Sequence, residues 1–311
     1  MIDKTKKIMK YLGKFATSGD VQTAIDEERL FKPYVAYVQD GDYIDWNTKE
    51  EQHDYSKDYL TFEIISAGTI VWGANGTDIT KAIEYSVNSG ITWRQITSAT
   101  GASAPSFSVN AGDKVLFKGE NSSYGKITSK IFYRASSFSG STAIFNVNGN
   151  ILSLTSATSL STETFMYLFR ATNVIDASNL VLPTITLTRC YYGMFQGCTS
   201  LTSAPALPAT TLASSCYQSM FNDCTSLTSA PELLVTTLVT GCYNGMFSGC
   251  TNLNSVKALF TTTPSTTYTN NWLVNVSSTG TFFKNPSATW DQSITRGTST
   301  VPANWTIQNA S

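Results

Sequence analysis

The chain has 311 residues, 41% of them hydrophobic and only 14% charged, with a formal net charge of -1. That length exceeds one small core, and the apolar share is sufficient for folded domains. The net charge argues against a nucleic-acid binder, which needs a clustered positive surface. No apolar run approaches the length of about 18 residues that crosses a bilayer, so membrane insertion is not expected.

Charge is unevenly placed. Beyond residue 150 the only acids are Glu163, Asp176, Asp223, Glu232 and Asp291, and the only bases are Arg170, Arg189, Lys257, Lys284 and Arg296. The first 60 residues carry most of the rest, which assigns the two ends different tasks.

In chain order, residues 2–15 read as an amphipathic helix, with Ile2, Ile8, Met9, Leu12 and Phe15 opposite five lysines. Such a helix packs on its own protein or a symmetry mate, inserts into another protein as an attachment peg, or lies on a membrane surface. The lysines interrupt the apolar stretch a secretory signal needs, so the chain as written is expected to fold in the cytoplasm. Asp20 is placed to cap a second helix through Leu30. Asp40-Gly41 marks a hairpin within residues 32–47. Residues 1–58 are thus expected to be an anchor and oligomerisation region.

Residues 59–149 read as a β-sandwich. Ile83, Tyr85 and Val87 alternate, then Asn88-Ser89-Gly90 supplies turn chemistry, and Ile91 and Trp93 alternate again. Phe107 with Val109, and Val115 with Phe117, flank a turn at Ala111-Gly112-Asp113. Gly140 and Gly149 read as isolated turn residues.

Residues 150–262 hold an internal repeat. CYYGMFQGCTSLTSAPAL (190–207), CYQSMFNDCTSLTSAPEL (216–233) and CYNGMFSGCTNLNSVKAL (242–259) align without gaps at a period of 26 residues. Tyr191, Met194, Phe195 and Cys198 fall at helical spacing, as do Tyr217, Met220, Phe221 and Cys224, and Tyr243, Met246, Phe247 and Cys250. Leu201, Leu227 and Leu253 open a short extended stretch that reaches Leu207, Leu233 and Leu259, limited by Pro205 and Pro231. One two-turn helix and one strand per repeat cannot bury their own apolar face, so the copies are expected to stack as a solenoid. A degenerate copy precedes them, with Phe165, Leu168, Phe169 and Ile175 at the apolar positions and Thr164 and Thr172 in place of cysteines. After Phe260 the pattern dissolves. Trp272, Phe282, Phe283, Trp290 and Trp305 read as a C-terminal cap over 263–311. The expected fold class is therefore multidomain β plus α/β: helical anchor and hairpin, β-sandwich, repeat solenoid, aromatic cap.

All six cysteines lie in the repeats as Cys-x7-Cys. On a helix that spacing spans about 12 Å, too far for a disulfide within a repeat. Each ladder across the coils has three members, so pairing would leave an odd thiol. Cys-x7-Cys also lacks the short spacing of structural zinc ligands. Buried free thiols are the expectation, with no metal or other cofactor.

Catalysis is not expected. His53 is the only histidine, in a polar stretch, and no nucleophile signature or phosphate-binding loop is present. The acids of the repeat half do not recur at repeated positions. Asp223, at a place held by glycine at 197 and 249, reads as surface variation.

The motif CYxxMFxxCTxL followed by SAPxLPATTL resembles the BspA-type leucine-rich repeats of gut Bacteroidales and their phages. The resemblance covers about residues 142–308, including NVNGNILSL and VSSTGTFFKNPSATW. EYSVNSGITWRQI and VNAGDKVLFKGEN are similar to the β-sandwich that often precedes such repeats. SGDVQTAIDEERLFKPYVAYVQDGDYIDWNTKE resembles the start of virion proteins of Bacteroides phages, including the crAss-like group. These resemblances imply a surface-displayed recognition role, with no site residues to transfer. The expected function is a virion appendage assembled in the host cytoplasm. Its N-terminus would bind capsid or tail proteins, its repeats a host surface glycan or protein, and the chains would form a homo-oligomer, most simply a trimer. The alternatives are a bacterial cell-surface adhesin and a structural capsid decoration.

Overall fold

The computed structural model describes residues 59–129, 132–155, 160–290 and 300–311. Ile2, Ile8, Met9, Leu12 and Phe15, the two N-terminal helices, the 32–47 hairpin and His53 lie outside the described residues. The described residues belong to one compact unit and are mostly β, with helix limited to short 3-10 turns.

The first part carries eleven strands: β1 Leu60–Ser66, β2 Gly68–Val71, β3 Gly73–Ala74, β4 Ala82–Ser86, β5 Arg94–Thr97, β6 Ala99–Thr100, β7 Ser106–Val109, β8 Lys114–Lys118, β9 Gly125–Ser129, β10 Phe132–Ser137 and β11 Ile144–Asn150. With β12 (Leu180–Val181), five of them form a six-stranded sheet of order β12-β11-β1-β8-β4-β5. A second sheet runs β6-β3-β10-β9, and β2 pairs with β7. Leu60, Phe62 and Ile64 alternate inward along β1 because a strand sends successive side chains to opposite faces. The Phe62 ring stacks on Phe145 at 4.2 Å and meets Phe117 at 4.7 Å and Phe138 at 4.8 Å. Trp72 closes on Phe138 at 4.8 Å, its indole N–H donating to the Lys81 carbonyl at 2.7 Å.

Three details depart from the sequence reading. β4 ends at Ser86, leaving Val87 and Ile91 exposed in the connection to β5. The turn after Asn110 joins strands of different sheets: β7 pairs β2, whereas β8 lies between β1 and β4. Gly149 lies within β11, at φ 78, with its N–H donated to the Asn179 carbonyl.

The repeats are stacked coils of a β-solenoid, and the two-turn helix is absent. The N–H groups of Tyr191, Gly193, Phe195 and Gly197 donate to carbonyls of the next coil, at Cys216, Gln218, Met220 and Asn222. Those of Tyr192, Met194, Gln196 and Cys198 fold back three residues, to Arg189, Tyr191, Gly193 and Phe195. The chain is thus a succession of four-residue turns, each with one residue at positive φ: Arg189, Gly193 and Gly197, then Ser215, Ser219 and Asp223, then Gly241, Gly245 and Gly249. Buried pairs such as Cys190-Tyr191 and Met194-Phe195 follow at a spacing of four. Over two turns a period of four and the helical period of about 3.6 drift apart by less than one residue, so apolar spacing alone does not separate them. Asp223 therefore fills a left-handed position, which a short polar side chain tolerates.

The coils extend past both ends of the three clear copies. Glu163, Tyr167 and Ala171 repeat the positive φ values ahead of them. Behind them the pattern does not dissolve at Phe260. Tyr243, Gly245, Phe247 and Gly249 donate to Tyr268, Asn270, Trp272 and Val274, and Asn271 and Asn275 are again at positive φ. On another side of the solenoid, β13 (Ser255–Ala258), β14 (Gly280–Lys284) and β15 (Trp305–Asn309) pair in parallel. Phe282, Trp290 and Trp305 fill the end of the core, and one hydrophobic cluster runs from Leu60 to Trp305.

Candidate functional site

The repeat residues Tyr191, Met194, Phe195, Cys198 and Leu201 are buried, with their counterparts in the next two coils. Equivalent rings stack along the axis, Phe195 on Phe221 and Phe221 on Phe247 at 5.7 Å each, and Tyr191 on Tyr217 at 5.6 Å. These side chains build the stack and present nothing to a ligand. The six thiols are free and buried. Cys190 and Cys216 have sulfurs 2.9 Å apart, and Cys198 donates to the Phe169 carbonyl at 3.0 Å. Burial pushes Cys198 up to about 11 and Cys250 to about 12. Cys216 is raised first by its hydrogen bond with Cys190 and then by burial. Such thiols are neutral and poor nucleophiles.

An accessible concavity lies elsewhere, where the second sheet meets the first coil. It encloses about 450 Å³. β3 runs through the middle of its sheet, parallel to β6 and antiparallel to β10, so Gly73 pairs with Ala99 and Ser137, and Ala74 with Ser136. Ala102 and Ala104 after β6, and Ser139 and Gly140 after β10, extend this small-residue surface. The opposite wall is Tyr167 and Arg170. The Phe138 N–H donates to the Leu168 carbonyl at 2.9 Å, and the Ser139 hydroxyl donates to the Arg170 carbonyl, which join that wall to the floor.

The wall is held from behind. Arg170 lies over the Tyr167 ring at 5.3 Å and donates through Nε to Gln196 Oε1 at 3.1 Å. Gln196 in turn donates to Asn222 at 3.0 Å, and Asn222 to the Ser248 carbonyl at 2.9 Å, one coil at a time. Tyr167 meets Tyr192 edge-on at 5.4 Å, and Tyr192 stacks on Tyr133 of β10 at 4.9 Å. Burial raises the phenol pKa of Tyr167 and Tyr192, so both stay neutral hydrogen-bonding groups. Hydrogen bonding, ring stacking and one cation are the chemistry on offer. Among the described residues no three side chains of His, Cys, Asp or Glu gather as a metal-holding group, and no helix is long and apolar enough to cross a membrane.

Comparisons with protein-family models, curated proteins and solved structures found no match. The groove was missed in the sequence because its lining is scattered over four segments. The usable signal is compositional: AGTIVWGANG, SATGASAPS and ASSFSG place small residues inside strands, where β-branched and aromatic residues are the usual choice.

Proposed function

We propose that the chain is a non-enzymatic phage virion appendage, a head or tail fibre. Residues 1–58 attach it to capsid or tail proteins, and the β body faces a host surface glycan or protein. The observation that carries this reading is a nearly uncharged β-solenoid continuous with the preceding sheets through one core. Such a body holds its surface rigidly away from an attachment point. Its flanks repeat exposed threonines, Thr210 and Thr211 in one coil and Thr236 and Thr237 in the next, which suit polar ligands rather than ionic ones. The resemblance to BspA-type repeats supports the same role. In this reading the chain assembles in the host cytoplasm and forms a homo-oligomer, a trimer, with no nucleic acid or membrane insertion involved.

The repeat resemblance equally favours a second reading, a bacterial cell-surface adhesin. Antibody to this chain, applied to purified particles and to uninfected cells under the electron microscope, separates the two. Label on particle heads or tails supports the appendage. Label on uninfected cells alone overturns it. A chain of residues 59–311 is expected to bind susceptible cells without joining particles, and light scattering on the full chain reads its oligomeric state.

A further inference from the structure

We infer that the groove between the β3-β6-β10 surface and the first coil binds an acidic sugar, whose carboxylate is held by Arg170. The inference rests on the surface-recognition reading and gives it a ligand class.

Nothing internal requires the floor to be so small. Gly73 is in ordinary extended backbone, and a Cβ added to it would meet nothing nearer than the Ser139 carbonyl oxygen at 3.8 Å. Neither conformation nor packing demands glycine there. Glycine and alanine also weaken a strand. Gly73, Ala74, Ala99 and Ala135 nevertheless line the floor in succession and leave the space open, as where a ligand approaches the backbone. The volume suits a ligand of one or two sugar rings.

The wall departs from its own repeat in the opposite sense. Tyr167 takes φ 58, a position held by Gly193, Ser219, Gly245 and Asn271 in the other coils. A bulky residue in left-handed backbone costs roughly 1–2 kcal/mol, and among the described coils the one that carries it at this position faces the groove. Three turns of the chain contribute to fixing Arg170 beside that ring, through Gln196, Asn222 and the Ser248 carbonyl. Its Nε is occupied, its two terminal nitrogens have no partner among the described residues, and no acid lines the groove. A guanidinium held in this way loses little freedom on binding, and its free edge matches a carboxylate with two parallel hydrogen bonds. The Ser106 and Ser137 hydroxyls lining the groove likewise have no partner among the described residues, which leaves them for ring hydroxyls. A hydroxyl-rich ring with one negative charge fits this set. A polyanion would find only one cation.

The test is calorimetry of the full chain with a disaccharide ending in glucuronic acid and with its carboxyl-reduced glucose counterpart. The acidic sugar should bind about tenfold tighter, the worth of one charge-assisted pair. Arg170→Gln should abolish that preference. Gly73→Val, which fills the floor, should weaken both sugars at an unchanged melting temperature. Equal affinity for the two sugars, or an Arg170→Gln protein that retains the preference, overturns the assignment. If neither sugar binds while the chain still adheres to susceptible cells, the groove assignment fails and the recognition reading stands. If the chain adheres to no cells either, both fail.

Discussion

The sheets of residues 60–150 and the coils that follow bury similar side chains by different backbone routes. In the sheets, β1 lies between β8 and β11, and its residues reach the core at every second position. In the coils, alternate N–H groups pair with the next coil, the others close turns, and the core is reached by two neighbours in every four. The cost of the second scheme is a left-handed residue in each turn, and it is met differently along the stack. Gly193 lies where a Cβ would come within 2.2 Å of the Tyr167 ring, and Gly249 where one would meet the Asp223 carboxylate at 2.0 Å. Glycine is thus required at 193 and 249 because the neighbouring coil's side chain fills the space a Cβ would take, whereas at Gly197 nothing lies nearer than Ala171 at 3.7 Å.

The largest effects test whether the two regions share a core. Phe221→Ala in the solenoid and Phe62→Ala in the sheets should each cost about 3–5 kcal/mol and lower a single melting transition. Two separate transitions, each sensitive to one substitution, would divide the core that the continuous cluster joins.

Glycine substitutions sharpen the contrast in backbone. Gly112 turns at φ 89 with nothing within 4 Å of an added Cβ, so Gly112→Ala should cost only the left-handed strain of roughly 1–2 kcal/mol. Gly193→Ala should cost more, since the Tyr167 ring must also move. The sign is decisive in urea unfolding. In a helix the same change would stabilise by roughly 0.5–1 kcal/mol.

Thiol chemistry belongs to the solenoid alone. All six cysteines should resist a thiol reagent in the folded protein and titrate as free thiols in denaturant without reductant. Burial raises Cys198 and Cys242 from the usual 9 to about 11. The folded state therefore holds protons that the unfolded chain releases above pH 9. Stability from these groups is fully present below that pH and is lost as pH rises toward 11. A melting temperature constant from pH 8 to 11 would contradict their burial.

The smallest effect lies in the sheets. Asp78, paired first with Arg134 and then with Lys126, is lowered to about 2. Its contribution is present above pH 4 and lost as pH falls through 2. Because the pair is exposed, Asp78→Asn should shift the melting temperature least, and 1 M salt should erase the difference.

By itself the sequence determined the 26-residue period, the residues that face the core and the scarcity of charge, because burial selects side-chain type position by position. The backbone form was decided by tertiary structure. Tyr191, Met194, Phe195 and Cys198 satisfy a helix and a chain of four-residue turns equally well over so short a span. Glycines at 193, 197, 241, 245 and 249, poor choices inside helices, were the local hint. The tryptophan-bearing coil that follows Gly249 escaped notice for a related reason: Tyr268, Thr269, Trp272 and Leu273 keep the spacing but change every side chain. The groove lay furthest from view. Gly73, Ala99, Ala135 and Arg170 become neighbours only through strand pairing and the docking of the first coil, and contacts between distant segments have no signature in the spacing of any one of them.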